Sequence, residues 1–412
     1  MDRRVLFASL ILFAGGAAGV GVALFAFVGI DDATIDSEVV WESDPVAGDD
    51  GSGAVVATRD GDPLVLQSTV DDGDRVVRAT AAGGDVEWTT SLSDVITGAA
   101  GGDDPAAISG LVSETADGDG VVAFTTESGS LVALDASDGT ERFAADLGGT
   151  GGIRPAIGDL DGDGDDEIAA VTTDGTVRAF DGDGDAVFEA DLGESVARRP
   201  LVVDFDDSEP TDDADDDPTR GVAVATGDGN ESAVHLLDGS GDPRWTTTPS
   251  VTPLSWNAAD TKSGPILALG GTSGTLETIE ASDGSLRYEI GLQDLPVAVG
   301  DAGPGRIHVG GSGSVWAVDL LDGEVVWKQQ YGGNTRVNAP GVADVGGDGE
   351  TGPVAVNRDG RVLVLDRNGE VTARGDIDSI VVASPLFADV TGDGSDEVLV
   401  VTEDGRVVAL DE

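Results

Sequence analysis

The chain has 412 residues, with 79 Asp and Glu against 22 Lys and Arg and a formal net charge of -57. Such acidity repels phosphate everywhere and excludes a nucleic-acid binder. The lack of cysteine excludes disulfides, thiolate metal sites, cysteine nucleophiles and a lipid-modified cysteine anchor, and only His235 and His308 remain for imidazole chemistry.

Lys262 and Lys328 are the only lysines. Carboxylate-rich, lysine-poor surfaces stay hydrated in molar salt, where charges are screened within about 3 Å, so the composition predicts a haloarchaeal protein. The same abundance makes paired carboxylates common by chance, and none is nominated as an acid–base pair. Apolar residues make up 40% of the chain, ample for a large core.

Residues 5–30 form an apolar run of 26 residues without a charge, about 39 Å long as a helix. A bilayer core needs about 20 residues. Arg3 and Arg4 precede the run, and Asp31, Asp32 and Asp36 follow it. The positive-inside rule then predicts a cytoplasmic tip over 1–4, a transmembrane anchor over 5–30, and an extracellular domain over 31–412. A cleaved signal peptide is the rival reading. Its apolar stretch is usually about 7–15 residues and ends in a small-residue cleavage site, neither of which fits well here.

Beyond the anchor, a unit of roughly 45 residues recurs about eight times. Its marker is an aromatic four residues after a turn glycine: Trp88 after Gly84, Phe143 after Gly139, Phe188 after Gly184, Trp245 after Gly241, Tyr288 after Gly284 and Trp327 after Gly323. Pro105, Pro155, Pro200, Pro253, Pro296, Pro340 and Pro385 mark the other end of the unit. Four short strands in each such period are the signature of a β-propeller.

The third unit shows the pattern. Strands are predicted over 155–159, 167–173, 176–180 and 186–190, with Asp174-Gly175 as a hairpin turn. Third strands align as one apolar column through Leu131, Val177, Val234, Leu276, Val315, Val362 and Val407. A second runs through Leu134, Phe180, Leu237, Ile279, Val318, Leu365 and Leu410. Strands between packed sheets are apolar on both faces. The units are placed at 46–94, 95–149, 150–194, 195–249, 250–294, 295–333, 334–380, and 381–412 joined by 35–45. The last unit stops after its third strand, and its missing fourth strand is found at 38–42, which resembles 324–328. The expected fold is all-β: an eight-bladed β-propeller of four-stranded blades, closed by pairing of amino- and carboxy-terminal strands and preceded by one transmembrane helix. Within the first unit, 54–58 and 63–67 are either its first two strands or part of an insertion. The seventh unit has Ala373 where the aromatic belongs.

Between its first and second strands, the third unit carries Asp159, Asp161, Asp163, Gly164, Asp165 and Glu167. Alternating oxygen ligands, a glycine at the bend and a closing carboxylate suit calcium. Asp159, Asp161, Asp163 and Glu167 supply side chains, and Asp165 a backbone carbonyl. A weaker copy in the eighth unit uses Asp389, Thr391, Asp393 and Glu397. The seventh unit keeps Asp344 and Asp348 but has lost other ligands. A solvated acidic turn is the alternative for all three. A bound ion is expected to be structural.

The Asp-x-Asp-x-Asp-Gly-x-x-Glu loop followed by an apolar strand resembles the FG-GAP and VCBS repeats of integrin-like propellers. The segments 135–143 and 319–327, each running from Asp through Asp-Gly to an aromatic, resemble the repeat of pyrroloquinoline-quinone-like propellers. In those propellers the aromatic packs between neighbouring blades. The resemblance covers about 35–412 and implies a quinoprotein-like propeller, a group that spans quinone dehydrogenases, outer-membrane assembly scaffolds and adhesion modules. Many of the enzymes hold their quinone with a vicinal disulfide, which this chain lacks. No catalytic residue is nominated. His235 is expected at a surface or between blades, and His308 and the off-register Trp256 and Trp316 in packing. The expected function is a non-catalytic binding or scaffold module at the cell surface, with a protein or glycan as partner. The alternative is a quinone-dependent or polysaccharide-active enzyme.

Overall fold

The first strands of successive blades lie against one another around a central channel, and three further strands step outward from each. The computed structural model describes residues 35–43, 54–59, 61–71, 73–96, 108–114, 120–205, 220–227, 231–293, 296–331 and 335–411. The expected anchor over 5–30 and the tip over 1–4 lie outside these residues. No helix among the described residues is long and apolar enough to cross a membrane.

Eight antiparallel sheets follow in chain order, each joined to the next by a link from its outer to the next inner strand. Blade one comprises Ala54–Arg59, Asp62–Asp71, Asp74–Ala81 and Val86–Ser91. Residues 54–58 and 63–67 are therefore strands of this blade rather than an insertion. Blade three comprises Ala156–Gly158, Glu167–Val171, Thr176–Phe180 and Ala186–Asp191, close to the predicted limits. Blade eight takes Leu386–Ala388, Glu397–Val401 and Val407–Asp411 from one end of the chain and Glu38–Glu42 from the other. Glu38 pairs with Asp411 and Trp41 with Ala409, so the closure expected from sequence is present.

One part of that expectation needs correction. Residues 35–45 do not all complete blade eight. Ile35–Asp36 run parallel to Val371–Asp376 and give blade seven a fifth strand, with Ile35 opposite Ala373. Ser37 separates the two pairings and donates its N–H to Arg374 O at 2.6 Å. The segment 35–42 therefore ties blade seven to blade eight. Residues 44–45 lie outside the described set.

The core is spread between blades. Leu66, Val77 and Trp88 of blade one pack with Val122, Phe124, Val132 and Leu134 of blade two, and similar clusters recur around the ring. All fourteen residues of the two predicted apolar columns are buried. Burying each such side chain contributes roughly 1.5–3 kcal/mol, which is why the alternation vanishes in these strands.

Each blade carries a register shift between its third and fourth strands, immediately before or beside the aromatic position. The shift turns the aromatic toward the next blade, where it meets that blade's turn glycine. Phe143 packs on Gly184, Phe188 on Gly241, Trp245 on Gly284, Tyr288 on Gly323 and Trp327 on Gly369. Ala373 now has a physical reason. The third and fourth strands of blade eight come from opposite ends of the chain, so no turn glycine faces this position. The Ile35–Asp36 strand covers the same edge instead.

Candidate metal centre

The loop that joins Ala156–Gly158 to Glu167–Val171 must reverse the chain between two inner strands, and its carboxylates do this by binding its own N–H groups. Asp159 Oδ1 accepts from Gly162 N at 2.7 Å, Asp161 Oδ1 from Asp163 N at 3.1 Å, and Asp163 Oδ1 from Asp165 N at 2.9 Å. Glu167 begins the second strand and is 2% exposed. Its Oε2 accepts from Leu160 N at 2.7 Å and from Asp161 N at 3.4 Å.

These constraints bring one oxygen each from Asp159, Asp161 and Glu167 within 4.8 Å of one another. Asp163 is exposed and does not join that group. Burial pushes the Glu167 carboxyl up to about 7, opposed by the Leu160 N–H and reinforced by the Asp161 charge. A carboxylate desolvated beside like charges is one that a cation would stabilise. Each clustered carboxylate also keeps an oxygen that its backbone contacts do not use, so the donor set fits a hard cation.

Blade eight repeats the arrangement with different members. Asp389, Asp393 and Glu397 bring oxygens within 4.8 Å of one another. Thr391 donates its hydroxyl to Glu397 Oε1 at 3.0 Å, which occupies the oxygen that the corresponding Asp161 leaves free. Glu397 Oε2 accepts from Val390 N at 2.6 Å and Thr391 N at 3.1 Å. Burial raises the Glu397 carboxyl, while the Ser395 hydroxyl and N–H lower that of Asp393. In blade seven, Asp344 accepts from Asp348 N and Gly349 N, and its carbonyl accepts from Asp396 N at 3.0 Å, so the loops of blades seven and eight are bonded together.

The remaining singled-out residues are in packing roles. Trp256 is buried and its indole donates to Arg199 O at 3.0 Å. Trp316 faces the Lys328 ammonium at 4.0 Å. His235 lies between the Thr226 and Thr246 hydroxyls. His308 is buried, with Nδ1 on Asp301 O at 3.1 Å.

Sequence reasoning missed a polar row at the inner strands: Arg199, just before Leu201–Asp204, with Asn257 and Asp301. Arg199 donates to Asn257 Oδ1 at 3.4 Å, and Asn257 donates to Asp301 Oδ1 at 3.2 Å. The available signal was Arg154-Pro155 and Arg199-Pro200, two Arg-Pro pairs at the same place in adjacent units of a chain with few cations.

An all-β ring of eight blades, four-stranded apart from the fifth strand of blade seven, with outer-strand aromatics packed on the turn glycines of their neighbours in blades one to six, defines a propeller of the quinoprotein-like class. Residues 97–204 and 230–411 match the family model of the outer membrane protein assembly factor BamB, and the chain belongs to that family. BamB from Moraxella catarrhalis is similar in structure, with a TM-score of 0.61 and 18% identity over 92% of this chain and 98% of that one. Sqt1 of Saccharomyces cerevisiae gives 0.64 and 12% over 92% and 99%. The quinohemoprotein alcohol dehydrogenase of Comamonas testosteroni gives 0.59 and 13% over 91% and 76%. At these identities the likeness is one of fold. No curated protein matches in sequence.

Proposed function

We propose that the chain is a membrane-anchored, extracellular propeller of a halophilic archaeon that works as a non-catalytic binding or scaffold module. One observation carries the choice of scaffold over enzyme. The match spans 98% of a BamB chain but 76% of a quinohemoprotein dehydrogenase, so about a quarter of the enzyme has no counterpart in the match. Fold likeness alone assigns no partner. The partner is a protein or glycan outside the cell, and residues 5–30 hold the propeller at the membrane.

The proposal includes calcium as a structural ion. Asp159, Asp161 and Glu167 hold it in blade three, with Asp163 and the Asp165 carbonyl completing the shell. Asp389, Asp393 and Glu397 form a poorer site in blade eight. The ion neutralises clustered carboxylates and pins the loops.

Purification of the full-length protein in molar salt, with identification of co-purifying molecules, tests the function. A stoichiometric protein or glycan partner is the expected result. A bound quinone or turnover of an alcohol or polysaccharide would replace the scaffold reading with an enzymatic one.

A further inference from the structure

Blade six departs from the other seven at its two inner strands, Ala298–Gly303 and Arg306–Gly310. Their pairing shifts register between Val299 and Ala302. The corresponding pairings of the other seven blades are regular. Opposite the shift stands His308, which pairs with Ala317 of the third strand. The same register place in the other blades holds Leu66, Ala123, Ala169, Ala223, Ala268, Val354 and Leu399, all fully buried. Blade six thus puts an imidazole into an otherwise apolar column, under a bulge. Bulges re-aim side chains and are frequent beside sites. Arg306 opens the second strand at the place where Glu167 and Glu397 open theirs in blades three and eight.

Arg306 and His308 line a cavity of about 120 Å³ between blades six and seven. No described Asp or Glu lines it, in a chain with 79 of them. One run of contacts holds both polar groups. Arg306 Nη1 donates to the carbonyl of Arg367, on the blade-seven wall. The Trp327 indole N–H donates to the same carbonyl at 3.1 Å, and its ring lies 5.9 Å from the His308 imidazole. The other N–H groups of the Arg306 guanidinium have no partner among the described residues. His308 Nδ1 lies 3.1 Å from Asp301 O, and a carbonyl only accepts, so Nδ1 carries the proton. Burial brings the imidazole down to about 4, with the Asp301 carbonyl opposing and the Arg306 charge adding, so the ring is neutral at pH 7. Nε2 then offers a lone pair, and no described residue donates to it. The residue is only 4% exposed, and an acceptor so enclosed is costly to leave unmet. A Cβ on Gly303 would lie 3.3 Å from His308 Cε1 and 3.8 Å from Val342 Cγ1, so the glycine keeps this space open.

We infer that this cavity binds a small 2-hydroxycarboxylate, whose carboxylate meets Arg306 and whose hydroxyl donates to His308 Nε2. A charged donor beside a neutral acceptor calls for an anion that also carries one O–H. The volume corresponds to about four waters at about 30 Å³ each, the size of glycolate or lactate. Pro304, Val342 and Pro353 give the walls an apolar side that suits a short carbon chain, and Thr351 adds a hydroxyl. Hydrogen phosphate offers the same two groups but no carbon for the apolar side. The place in the blade that supplies a carboxylate to a cation loop in blades three and eight supplies a guanidinium to an anion in blade six.

His235 and His308 are the only imidazoles in the chain, so protein labelled with ¹³C at histidine Cε1 gives two signals, assigned with His235→Gln. The full-length protein, in mild detergent and molar sodium chloride, is titrated with each enantiomer of lactate, and with propionate, lactamide and inorganic phosphate. The expected result is a saturable shift of the His308 signal with lactate, while the His235 signal stays in place. Propionate lacks the hydroxyl and lactamide the charge, so each needs at least a tenfold higher concentration for half-saturation. Arg306→Gln raises the half-saturating lactate concentration at least tenfold. Gly303→Ala keeps every polar group and adds bulk alone, outside the left-handed region, and abolishes the shift. An unchanged His235 signal identifies the folded variants, and the comparison of lactate with propionate and lactamide needs the wild type only. A His308 signal that lactate leaves in place, moves linearly, or moves no more readily than propionate does would overturn the site. A saturable response to phosphate without one to lactate would overturn the hydroxy acid.

Discussion

Trp245 and Gly284 meet across the boundary between blades four and five so closely that a Cβ on the glycine would lie 2.6 Å from Trp245 Cε3. The glycine is at φ +72, and the indole N–H donates to Ala281 O at 2.8 Å in the same turn. Turn and ring therefore specify one another. Gly284→Ala adds both a left-handed strain and an overlap with the ring, and its expected cost is about 1–4 kcal/mol. Gly164→Ala, at φ +93 with nothing near its Cβ, carries the strain alone. Calorimetry should rank Gly284→Ala as the more destabilised of the two.

The shared blade gives a second expectation. Deleting residues 35–43 strips Val407–Asp411 of its partner and removes the parallel strand from blade seven. An unpaired edge recruits other chains. Sedimentation and light scattering should show aggregates or unfolded protein, whereas a monomer of unchanged stability would mean that blade eight does not depend on its borrowed strand.

Salt should stabilise the propeller. Its net charge of -57 is opposed by few paired cations. Dilution from molar salt to about 0.1 M lengthens screening to about 10 Å and exposes the carboxylates to one another. A substantially lower unfolding midpoint is expected, and an unchanged one would remove the halophilic reading.

Calcium should raise stability further in high salt. For a site occupied only in the folded state, a hundredfold excess over Kd is worth about 2.7 kcal/mol. Asp159→Ala and Asp161→Ala should each lose most of the blade-three increment, because both residues belong to the convergent group with Glu167. Asp163→Ala should lose less, and Asp393→Ala should remove only the smaller blade-eight share. Equal calcium responses in all four variants and wild type would leave both loops as acidic turns.

Acid should act through His308. Burial moves its imidazole from 6.5 down to about 4, with the Asp301 carbonyl opposing and the Arg306 charge adding to the shift. Between those values the unfolded chain binds a proton that the folded one refuses. The contribution is therefore complete above pH 6.5 and is lost as the pH falls toward 4, on the order of 3 kcal/mol. His308→Leu, which borrows the residue at the matching place in blade eight, Leu399, should flatten that part of the curve. Urea titrations at pH 7 and pH 4 measure the difference.

The fold was largely legible because each blade repeats the same local solution. Period, turn glycine, aromatic and two apolar columns are properties of one unit, and the closing strand at 38–42 still carries its unit's residues. Ile35–Asp36 was not legible, since two residues in a parallel pairing show no alternation. The extended second strand of blade one, Asp62–Asp71, was read short because its polar outer half lacks an apolar pattern. The acidic loops were legible as a spacing. Which carboxylates converge was not legible: Asp163 stands apart from Asp159, Asp161 and Glu167, whereas Asp393 at the same place in blade eight joins Asp389 and Glu397. The Arg199–Asn257–Asp301 row is created by the meeting of three units and belongs to none of them alone.

The borrowed strand also sets a schedule. Glu38 leaves the ribosome 373 residues before its partner Asp411. At about 5–20 residues per second, that interval is roughly 20–75 s. Blades one to seven have all their strands by then, Ile35–Asp36 included, while Glu38–Glu42 remain unpaired. The ring locks only once Asp411 has emerged, and a chain stalled before that point would display a free β-edge at each side of one gap.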